Sequence, residues 1–248
     1  MEKELSRTKI LILAAGKGKR MESDIPKVLT ILKGRPMIRH VLESIHGITS
    51  SKPVAIVGHK AELVKQELGD AVVYAYQKEQ LGTGHAVASA KEHADDAEHV
   101  LILAGDQPFI SSQTIKNLIK THTDRKAKVT FTTTIVENFE GWKKGFMNFG
   151  RILRDGNTIL GIKEYKDANT NEKSIKEVNI TTYIFNGPWL WENLSKLKNE
   201  NAQNEYYLTD LIHLATEQNE IIATITIDNK EAIGINTKEE LEIVEQVS

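Results

Sequence analysis

The stretch Ile10-Leu11-Ile12-Leu13-Ala14-Ala15-Gly16 decides the fold of this 248-residue chain. Its apolar run is unbroken rather than alternating and lies between charged residues and a glycine, which predicts a strand buried on both faces. Similar short runs recur at 54–57, 72–75 and 100–104. Helical patterns between and after them are expected at 37–45, 61–68, 83–94 and 112–122. Strands that alternate with helices in this way indicate right-handed βαβ units and a mainly parallel sheet.

After about residue 128 the sequence changes in character. Residues 129–136 are rich in Thr and Val, which is typical of an exposed strand. Asp155-Gly156-Asn157 stands between two apolar runs and predicts a hairpin. Further strands are expected at 150–153, 158–164, 179–185 and 221–227, and further helices at 188–197, 207–218 and 238–247. The predicted fold class is therefore α/β: a Rossmann-like, mixed, mostly parallel sheet flanked by helices, with a small β-rich lobe.

The composition excludes several classes of protein. Hydrophobic residues make up 40% of the chain, which is too much for a disordered protein, and the formal net charge of −2 leaves no excess for coating nucleic acid. Cysteine is absent, which excludes disulfides and thiolate metal sites and suits a reducing cytoplasm. The first apolar run is too short for a signal peptide or a membrane span. We therefore expect a soluble cytoplasmic protein that binds neither nucleic acid nor membranes.

The residues that follow the first strand combine glycine with positive charge. Gly16 and Gly18 allow a tight turn and a close approach of the backbone to a phosphate. Between residues 17 and 27 the chain carries four cations: Lys17, Lys19, Arg20 and Lys27. A dinucleotide fingerprint would need glycine where Met21 stands, and a P-loop would need Ser or Thr where Arg20 stands. The loop therefore indicates phosphate binding of another kind, although a solvated basic loop has the same composition.

Ordered motifs along the chain resemble those of a known family. The loop, Leu13-Ala-Ala-Gly-Lys-Gly-Lys-Arg-Met21 with Pro26-Lys27-Val28-Leu29, resembles the signature of sugar-1-phosphate nucleotidyltransferases. Later segments are similar to the uridylyltransferase domain of the bacterial bifunctional N-acetylglucosamine-1-phosphate enzyme: Gln77-Lys-Glu-Gln80-Leu-Gly82-Thr83-Gly84-His85-Ala86, Gly105-Asp106-Gln-Pro108, Glu177-Val-Asn179 and Asn201-Ala-Gln-Asn-Glu205-Tyr-Tyr207-Leu-Thr-Asp210. The resemblance runs in the family's order from about Lys9 to Asn236.

The resemblance implies an enzyme that converts UTP and N-acetylglucosamine 1-phosphate into UDP-N-acetylglucosamine and pyrophosphate with Mg²⁺. Its implied catalytic residues are Arg20, Lys27 and Asp106, and its implied metal ligands are Asp106 and Asn236. The nucleotide would bind at Ala14, Ala15, Gly16, Gly18, Lys19, Gln77, Gln80, Gly82 and Thr83, and the sugar at Gly150, Glu164 and Asn179. Because no linker or repeat divides the chain, we expect one domain, 1–248. Its nucleotide-binding part would end at about 128, its sugar-binding part would run from about 129 to 236, and a helix at 237–248 would close it.

The residue types at these positions suit the implied chemistry. Gln77 offers uracil both a donor and an acceptor, although a polar residue at a strand end also occurs without a ligand. Asp106 follows the run 100–104, at the carboxyl edge where open α/β sheets bind ligands, yet a lone Asp there is also common as a turn residue or helix cap. Since a sugar phosphate is already an anionic nucleophile, catalysis would consist of positioning and charge neutralisation rather than general-base chemistry.

The sequence departs from the family pattern in three places. Residues 137–149 are longer than the family's link before Phe149-Gly150-Arg151 and carry several aromatic side chains, so we expect an insertion beside the sugar site, as a lid or an interface patch. Asn179-Ile180-Thr181 ends in Thr where the family has glycine, so the sugar pocket is expected to differ from the family's. The family's β-helix acetyltransferase domain is not expected, because the sequence has no hexapeptide repeat.

Three functions are compatible with these features. The leading hypothesis is uridylyl transfer from UTP to N-acetylglucosamine 1-phosphate. A second hypothesis keeps this chemistry but uses another hexose 1-phosphate or dTTP. A third is a nucleotide-sugar-binding protein without turnover, against which the joint presence of Arg20, Lys27, Asp106 and Asn236 argues. The sequence does not indicate an oligomeric state.

Overall fold

The computed structural model of the chain describes residues 5–16, 18, 21 and 24–247. Its strands are β1 (Thr8–Ala14), β2 (Ile31–Leu32), β3 (Arg35–Pro36), β4 (Val54–Val57), β5 (Val73–Tyr76), β6 (His99–Ala104), β7 (Val129–Ile135), β8 (Arg151–Asp155), β9 (Thr158–Lys163), β10 (Glu177–Asn186) and β11 (Ile222–Thr226). Its α-helices are α1 (Met37–Ser44), α2 (Ala61–Leu68), α3 (Thr83–Ala88), α4 (Ser112–Arg125), α5 (Thr170–Lys173), α6 (Gly187–Asn193), α7 (Asp210–Glu217) and α8 (Lys238–Val247). Short 3₁₀ segments occupy Lys27–Leu29, Lys91–His93, Gly141–Asn148 and Leu194–Lys196.

The main sheet has the strand order β11-β7-β10-β6-β1-β4-β5. Strand β1 pairs in parallel with β4 and β6, β4 pairs in parallel with β5, and β11 pairs in parallel with β7. Strand β10 is antiparallel to both of its neighbours, β6 and β7. The predicted mixed, mostly parallel sheet is therefore confirmed. The strands parallel to β1 all end at the same edge, where the loop after β1 begins.

Strand β1 is buried on both faces, as its unbroken apolar run predicts. Ile10 and Ile12 belong to one hydrophobic cluster, and Leu11 belongs to a second cluster on the opposite face of the sheet. Both clusters include residues from the flanking helices, such as Val41 of α1 and Val87 of α3. Apolar side chains that point in both directions are thus removed from water, which is the main favourable contribution to folding.

Strand β7 contradicts the expectation of an exposed strand at 129–136. It lies between β10 and β11, and its residues Thr130, Thr132, Thr133 and Thr134 are at most 1% exposed. The buried hydroxyls find partners in the backbone or in neighbouring side chains: Thr134 Oγ1 donates to the carbonyl of Ile227 at 2.8 Å, and Thr130 Oγ1 lies 3.0 Å from His122 Nδ1. Composition misled the prediction, because a Thr-rich strand is stable in a core when its hydroxyls are hydrogen-bonded.

Three predicted helices are shorter in the structure, and the one expected at 188–197 ends at Asn193, before the 3₁₀ segment Leu194–Lys196. The helix expected at 83–94 ends at Ala88 and is followed by the 3₁₀ segment Lys91–His93, and the helix expected at 207–218 begins only at Asp210. The residues before Asp210 instead form a loop that contacts the helix α3 region. Before Asp210 these tertiary contacts override the local helical pattern.

The β-rich lobe consists of the hairpin β8–β9. Gly156 adopts φ +54° at its turn, as the Asp-Gly signal predicts. The hairpin joins the main sheet through the pair Arg151–Val178 of β8 and β10. A bidentate ion pair strengthens this junction, since Arg154 Nε and Nη2 lie 2.7 and 2.8 Å from the carboxylate oxygens of Glu177. Strands β7, β10 and β11, which follow residue 128, extend the main sheet instead.

His122 is a buried titratable group remote from the edge at which the parallel strands end. It is 1% exposed on α4, its Nδ1 lies 3.0 Å from Thr130 Oγ1, and its ring meets that of His99 edge-on at 5.0 Å. Burial lowers the pKa of His122 to about 3, and the neighbouring His99 adds to the effect. The folded protein therefore holds His122 neutral.

We expect this histidine to destabilise the protein in mild acid. The unfolded side chain takes up a proton below about pH 6.5, while the folded one stays neutral down to about pH 3. The free energy of unfolding is therefore highest above pH 6.5 and falls as the pH drops from 6.5 towards 3. Between pH 7 and pH 5 this single group lowers the free energy of unfolding by about 2 kcal/mol. Urea unfolding of the wild type and of His122→Gln at both pH values measures the difference. Equal losses in the two proteins would contradict the assignment.

Candidate active site

A cleft of about 610 Å³ opens at the carboxyl edge of β1. Every nucleotide-binding residue that the sequence predicts and the structure describes lines it: Ala14, Ala15, Gly16, Gly18, Gln77, Gln80, Gly82 and Thr83. The predicted catalytic residues Lys27 and Asp106 line it as well. Lys19 and Arg20 lie outside the described residues, as does Lys17. Segments far apart in the sequence thus meet in one concave site.

The loop after β1 folds back against the segment that begins with Lys27. Gly18 has φ +58°, and a Cβ at this position would lie 2.8 Å from Lys27 Cβ. The carbonyl of Gly18 accepts a hydrogen bond from the backbone N–H of Met21 at 2.8 Å. A residue with a side chain would be strained at position 18 and would displace Lys27. The glycine therefore sets the distance between the loop backbone and the lysine.

Gln77, after β5, presents one defined atom to the cleft. The side chain is 3% exposed, and its Nε2 donates to the carbonyl of Gly82 at 3.1 Å and contacts His85 Nδ1 at 3.1 Å. Among the described residues its Oε1 has no hydrogen-bond partner, so the amide offers a ligand an acceptor rather than a donor. The His85 contact orients the amide.

The loop before α7 is pinned against the wall of the cleft that contains Gly82. The backbone N–H of Tyr206 donates to the carbonyl of Leu81 at 2.8 Å, and the N–H of Gly84 donates to the carbonyl of Tyr206 at 2.8 Å. Gly82 has φ +109°, and a Cβ there would lie 2.7 Å from the Tyr206 carbonyl oxygen. The Gly-Thr-Gly motif is thus explained by a close approach of two backbones.

The same loop is tied to the opposite wall of the cleft. Asp167 accepts hydrogen bonds from the Ala202 N–H at 2.8 Å and from the Tyr207 hydroxyl at 3.2 Å. Lys166 Nζ donates to Gln203 Oε1 at 2.5 Å. The loop therefore bridges the wall formed by residues 77–84 and the wall formed by residues 164–167.

Lys27, Asp106 and Asn236 form a polar junction at the edge of the cleft. Lys27 Nζ donates to the carboxylate of Asp106, and to Asn236 Oδ1 at 2.8 Å. Asp106 follows β6, and its carbonyl accepts from the N–H of Ile235 at 3.0 Å, which fixes the segment carrying Asn236. Two oxygen ligands from distant parts of the chain thus converge on a single cation.

A second cavity of about 170 Å³, the sugar-side cavity, adjoins the cleft and shares Asp106 and Thr181 with it. The predicted sugar residues and the second predicted metal ligand all line it: Gly150, Glu164, Asn179 and Asn236. A Cβ at Gly150 would lie 2.8 Å from Ile162 Cγ2, so glycine is required where the chain passes β9. The polar junction therefore stands between the two cavities.

Glu164 introduces a carboxyl group with a raised pKa into the sugar-side cavity. Burial raises the pKa of Glu164, the hydrogen bond from Thr209 Oγ1 at 2.8 Å works in the opposite direction, and the nearby carboxylates of Asp210, Asp167 and Glu205 raise it further. Burial also raises the pKa of Asp210. Excess acidic groups next to the cavity favour ligand atoms that donate hydrogen bonds.

The insertion at 137–149 packs against α8. Its 3₁₀ segment buries Phe146, whose ring meets those of Trp142 and Phe149 edge-on at 6.2 and 5.3 Å. A Cβ at Gly145 would lie 3.2 Å from Glu240 of α8. The last residues of the insertion, Asn148 and Phe149, line the sugar-side cavity. The insertion therefore lies beside the predicted sugar site as a packed wall.

The residues that line the cleft belong largely to a segment that matches a known protein family. The model of the MobA-like NTP transferase domain matches residues 10–141, which is more than half of the chain. This chain belongs to the MobA-like NTP transferase domain family. The matched residues contain β1, the loop after it, Gln77 and Asp106, so the family model covers most of the cleft lining.

Relatives of this NTP transferase domain support the resemblance seen in the motifs. The chain is 40% identical over 239 residues to "Bifunctional protein GlmU" of Desulfitobacterium hafniense and 42% identical over 239 residues to that of Clostridium botulinum. Each match covers 96% of this chain and 51% of the relative. The chain thus spans about half the length of these relatives.

Solved structures share the fold of this NTP transferase domain. UDP-glucose pyrophosphorylase complexed with UDP-glucose is similar with a TM-score of 0.77 at 17% identity, covering 97% of both chains. A putative glucose-1-phosphate thymidylyltransferase from Bacillus anthracis is similar with a TM-score of 0.73 at 18% identity, covering 97% of this chain and 94% of that chain.

In the described part of the chain, no helix is long and apolar enough to cross a membrane.

Sequence reasoning missed several residues that line the two cavities: Gln107, Asn148, Lys166, Thr181, Gln203 and Gly234. Gln107 directly follows Asp106, and Thr181 lies two residues after Asn179, so the nearby motif residues were the signal that could have pointed to them. Lys166 and Gly234 carry no local signal, because only the folding of the chain brings them to the site. Glu205 was quoted in a motif without a role, and it lines the cleft.

Proposed function

We propose that this domain transfers UMP from UTP to N-acetylglucosamine 1-phosphate, giving UDP-N-acetylglucosamine and pyrophosphate. One observation carries the proposal: the cleft and the sugar-side cavity meet at the junction of Lys27, Asp106 and Asn236. A nucleotide in the first cavity and a sugar phosphate in the second would bring their phosphates together at this junction. The motif resemblance and the GlmU relatives support the choice of substrates.

Gln77 supports a preference for uracil. Its free Oε1 can accept a hydrogen bond from the N3–H of uracil or thymine, whereas the N3 of cytosine is itself an acceptor and would leave two acceptors facing each other. A buried mismatch of this kind costs more than a missing contact. UTP and dTTP are therefore favoured over CTP, and contacts with Ala14, Ala15 and Gly16 would complete the base and ribose site.

The proposed reaction is an in-line displacement at the α-phosphorus. An oxygen of the sugar phosphate forms the new bond to the α-phosphorus, the bond to the bridging oxygen breaks, and pyrophosphate leaves with that electron pair. No proton must be removed from the nucleophile. Lys27 would lie along the phosphates and offset the negative charge that develops, and Arg20 and Lys19 are proposed to act beside it by resemblance.

The polar junction fits a divalent cation. Asp106 and Asn236 point oxygen atoms at one positive centre, which Lys27 Nζ occupies in this structure. Oxygen ligands suit Mg²⁺, which keeps waters and takes substrate phosphates as further ligands. The described residues contain no group of three or more His, Cys, Asp and Glu that could hold a metal. Bound there, Mg²⁺ would stabilise charge on the phosphate oxygens.

Removing the Lys27 ammonium is expected to tighten divalent-metal binding in the absence of nucleotide. The ammonium competes for the same two oxygens, so Lys27→Met should lower the dissociation constant of Mn²⁺, followed by electron paramagnetic resonance, by about tenfold or more. Turnover should fall in the same variant because the phosphates lose a cation.

Lys166→Met is the matched control. It removes another lysine of the cleft, one that bonds to Gln203 rather than to Asp106, and should leave Mn²⁺ affinity within about twofold. Weaker or unchanged Mn²⁺ binding in Lys27→Met would rule out the shared cation position.

The activity is tested by pyrophosphate release. Four nucleoside triphosphates are crossed with a panel of sugar 1-phosphates, with and without Mg²⁺. The proposal expects release with UTP and N-acetylglucosamine 1-phosphate that depends on the metal. Faster release with another hexose 1-phosphate or with dTTP would show that this compound is the substrate instead of N-acetylglucosamine 1-phosphate or UTP. No release with any pair would favour a binding protein.

We also propose that different parts of the chain bind the nucleotide and the sugar. Residues up to about 128 would bind the nucleotide, residues from about 129 to 236 would bind the sugar, and α8 would close the site from behind Asn236. The Thr237–Glu240 cap, in which Thr237 Oγ1 accepts from the Glu240 N–H at 3.1 Å, supports that role of α8. The cytoplasmic location stays a prediction of the sequence.

A further inference from the structure

The boundary between the cleft and the sugar-side cavity is formed by Asp106 and Thr181, the described residues that line both spaces. In the proposed reaction an oxygen of the sugar phosphate attacks the α-phosphorus of the nucleotide, so the sugar phosphate has to reach this boundary. Asp106 belongs to the polar junction, whereas no step of the proposed reaction uses Thr181. A residue in this position is placed to contact the reacting phosphate.

A β-bulge in β10 brings Thr181 to the boundary. Two consecutive residues of β7 pair with Ile180 and Tyr183 of β10. The two residues between them, Thr181 and Thr182, have no pairing partner in β7. Bulges re-aim side chains and are common next to binding sites. The bulge therefore explains how a residue of a central strand comes to line two cavities.

The bulge is held by a buried hydroxyl of β7. Thr132 Oγ1 lies 3.4 Å from the carbonyl oxygen of Ile180 and 3.5 Å from that of Thr182. These two carbonyls flank Thr181, and the hydroxyl supplies a donor where the ladder of backbone hydrogen bonds is interrupted. Because the side chain of Thr181 takes no part in these contacts, we expect the bulge to survive its replacement.

The hydroxyl of Thr181 is available to a ligand. The residue is partly exposed, and its Oγ1 has no hydrogen-bond partner in the part of the chain that the structure describes. The neighbouring Thr182 differs, since its Oγ1 is buried without a partner and the residue lines neither cavity. A threonine hydroxyl can donate one hydrogen bond, and phosphate oxygens are strong acceptors.

We propose that Thr181 binds the phosphate of the sugar 1-phosphate and holds it at the boundary between the two cavities. Its hydroxyl donates to one phosphate oxygen, while another oxygen of the same phosphate faces the α-phosphorus. The inference rests on the proposed function, since it assigns a contact within that reaction. Because the contact is made to the phosphate and not to the ring, it is the same for every hexose 1-phosphate.

The test is Thr181→Val, which keeps the shape of the side chain and removes the hydroxyl. We expect kcat/KM for N-acetylglucosamine 1-phosphate to fall about tenfold, because a hydrogen bond to a charged group is lost, and the KM for UTP to stay within about twofold. Thr181→Ser keeps the hydroxyl and should recover most of the activity. The Tm of Thr181→Val should not fall, because no side-chain hydrogen bond of the free protein is broken.

Thr182→Val is the matched control. It makes the same chemical change at the adjacent residue of the bulge, whose hydroxyl is buried away from both cavities, and should leave kcat/KM within about twofold. Equal losses in Thr181→Val and Thr182→Val would assign the effect to the bulge and overturn the inference. Unchanged kinetics in Thr181→Val, or a Thr181→Ser protein as impaired as Thr181→Val, would overturn it as well.

Binding measurements separate this inference from the proposed function. The second phosphate of a nucleotide sugar is the one that the sugar 1-phosphate brings, and UMP lacks it. Titration calorimetry therefore compares UMP with UDP-N-acetylglucosamine and UDP-glucose, without turnover. If Thr181→Val weakens each nucleotide sugar that the wild type binds about tenfold and leaves UMP unchanged, the contact exists even where pyrophosphate release fails.

Three results of the calorimetry would overturn the inference. Equal affinities of the variant and the wild type would exclude the contact, whatever the enzyme catalyses. A loss confined to one of two nucleotide sugars that the wild type binds would place the contact on the sugar ring. A wild type that binds neither nucleotide sugar would contradict the inference and the proposed function together.

Discussion

Asp106→Ala is expected to lower kcat by roughly 10²- to 10³-fold, because it removes the negative charge of the polar junction. In the structure this carboxylate holds the Lys27 ammonium, and with Asn236 it would hold the divalent cation of the proposed reaction. Without it neither cation keeps its position against the phosphates. Since the benefit arises mainly as charge develops in the transition state, kcat should fall more than the KM for UTP rises.

Pyrophosphate release at saturating substrates measures the effect of Asp106→Ala. Asp124→Ala is the control: this carboxylate lies on the exposed face of α4, where it pairs with Lys120, and its loss should leave kcat unchanged. Circular dichroism and Tm report whether the fold is intact. Near-normal turnover in a folded Asp106→Ala protein would exclude the carboxylate from the reaction.

Arg151→Met is expected to lower the free energy of unfolding by about 3 kcal/mol or more, because a buried side chain that donates to four carbonyls is lost. Arg151 is 0% exposed and donates to the carbonyls of Met147 at 2.9 Å, Lys173 at 3.3 Å and Phe146 at 3.5 Å, and also to that of Phe149. Burial lowers the pKa of this guanidinium. One side chain of β8 thus holds the insertion and the last residue of α5 together.

Urea unfolding of Arg151→Met against the wild type measures this loss. Arg35→Met is the control, since that side chain is largely exposed beside Glu43 and should change stability by no more than about 0.5 kcal/mol. Arg151→Lys should recover only part of the loss. The planar guanidinium reaches four carbonyls, and an ammonium group cannot reach all of them. A change below about 1 kcal/mol in Arg151→Met would show that the carbonyls find other donors.

The alternation of buried runs and helical patterns was enough to predict the parallel sheet from the sequence. An apolar run without alternation has only one stable solution, a strand covered on both faces, so β1, β4 and β6 follow directly. The prediction of an exposed β7 was wrong for an equally physical reason. Thr130 and Thr134 are compatible with both environments, and only their hydrogen bonds to neighbouring groups decide between them.

Much of the candidate site was also predictable, but through motifs rather than through periodicity. Gly82 shows the reason, since its φ of +109° and its contact with Tyr206 are properties of two segments that approach each other. Gln107 shows the limit: it stands beside Asp106 in the sequence, yet nothing local indicates that its oxygen is buried and unused. Lys166 reaches the cleft only because the chain after β9 returns to it.

By itself the sequence determined the class of fold and supplied the candidate residues for the site, because these depend on local periodicity, on motifs and on the types of side chain. Only the tertiary structure decided how these residues combine. Lys27 lies 79 residues from Asp106 and 209 residues from Asn236, and their convergence depends on the order of the strands in the sheet. The burial of a side chain and its hydrogen-bond partners likewise depend on residues that are distant in the sequence. The tertiary structure was therefore needed to show that the amide oxygens of Gln77 and Gln107 have no hydrogen-bond partner among the described residues.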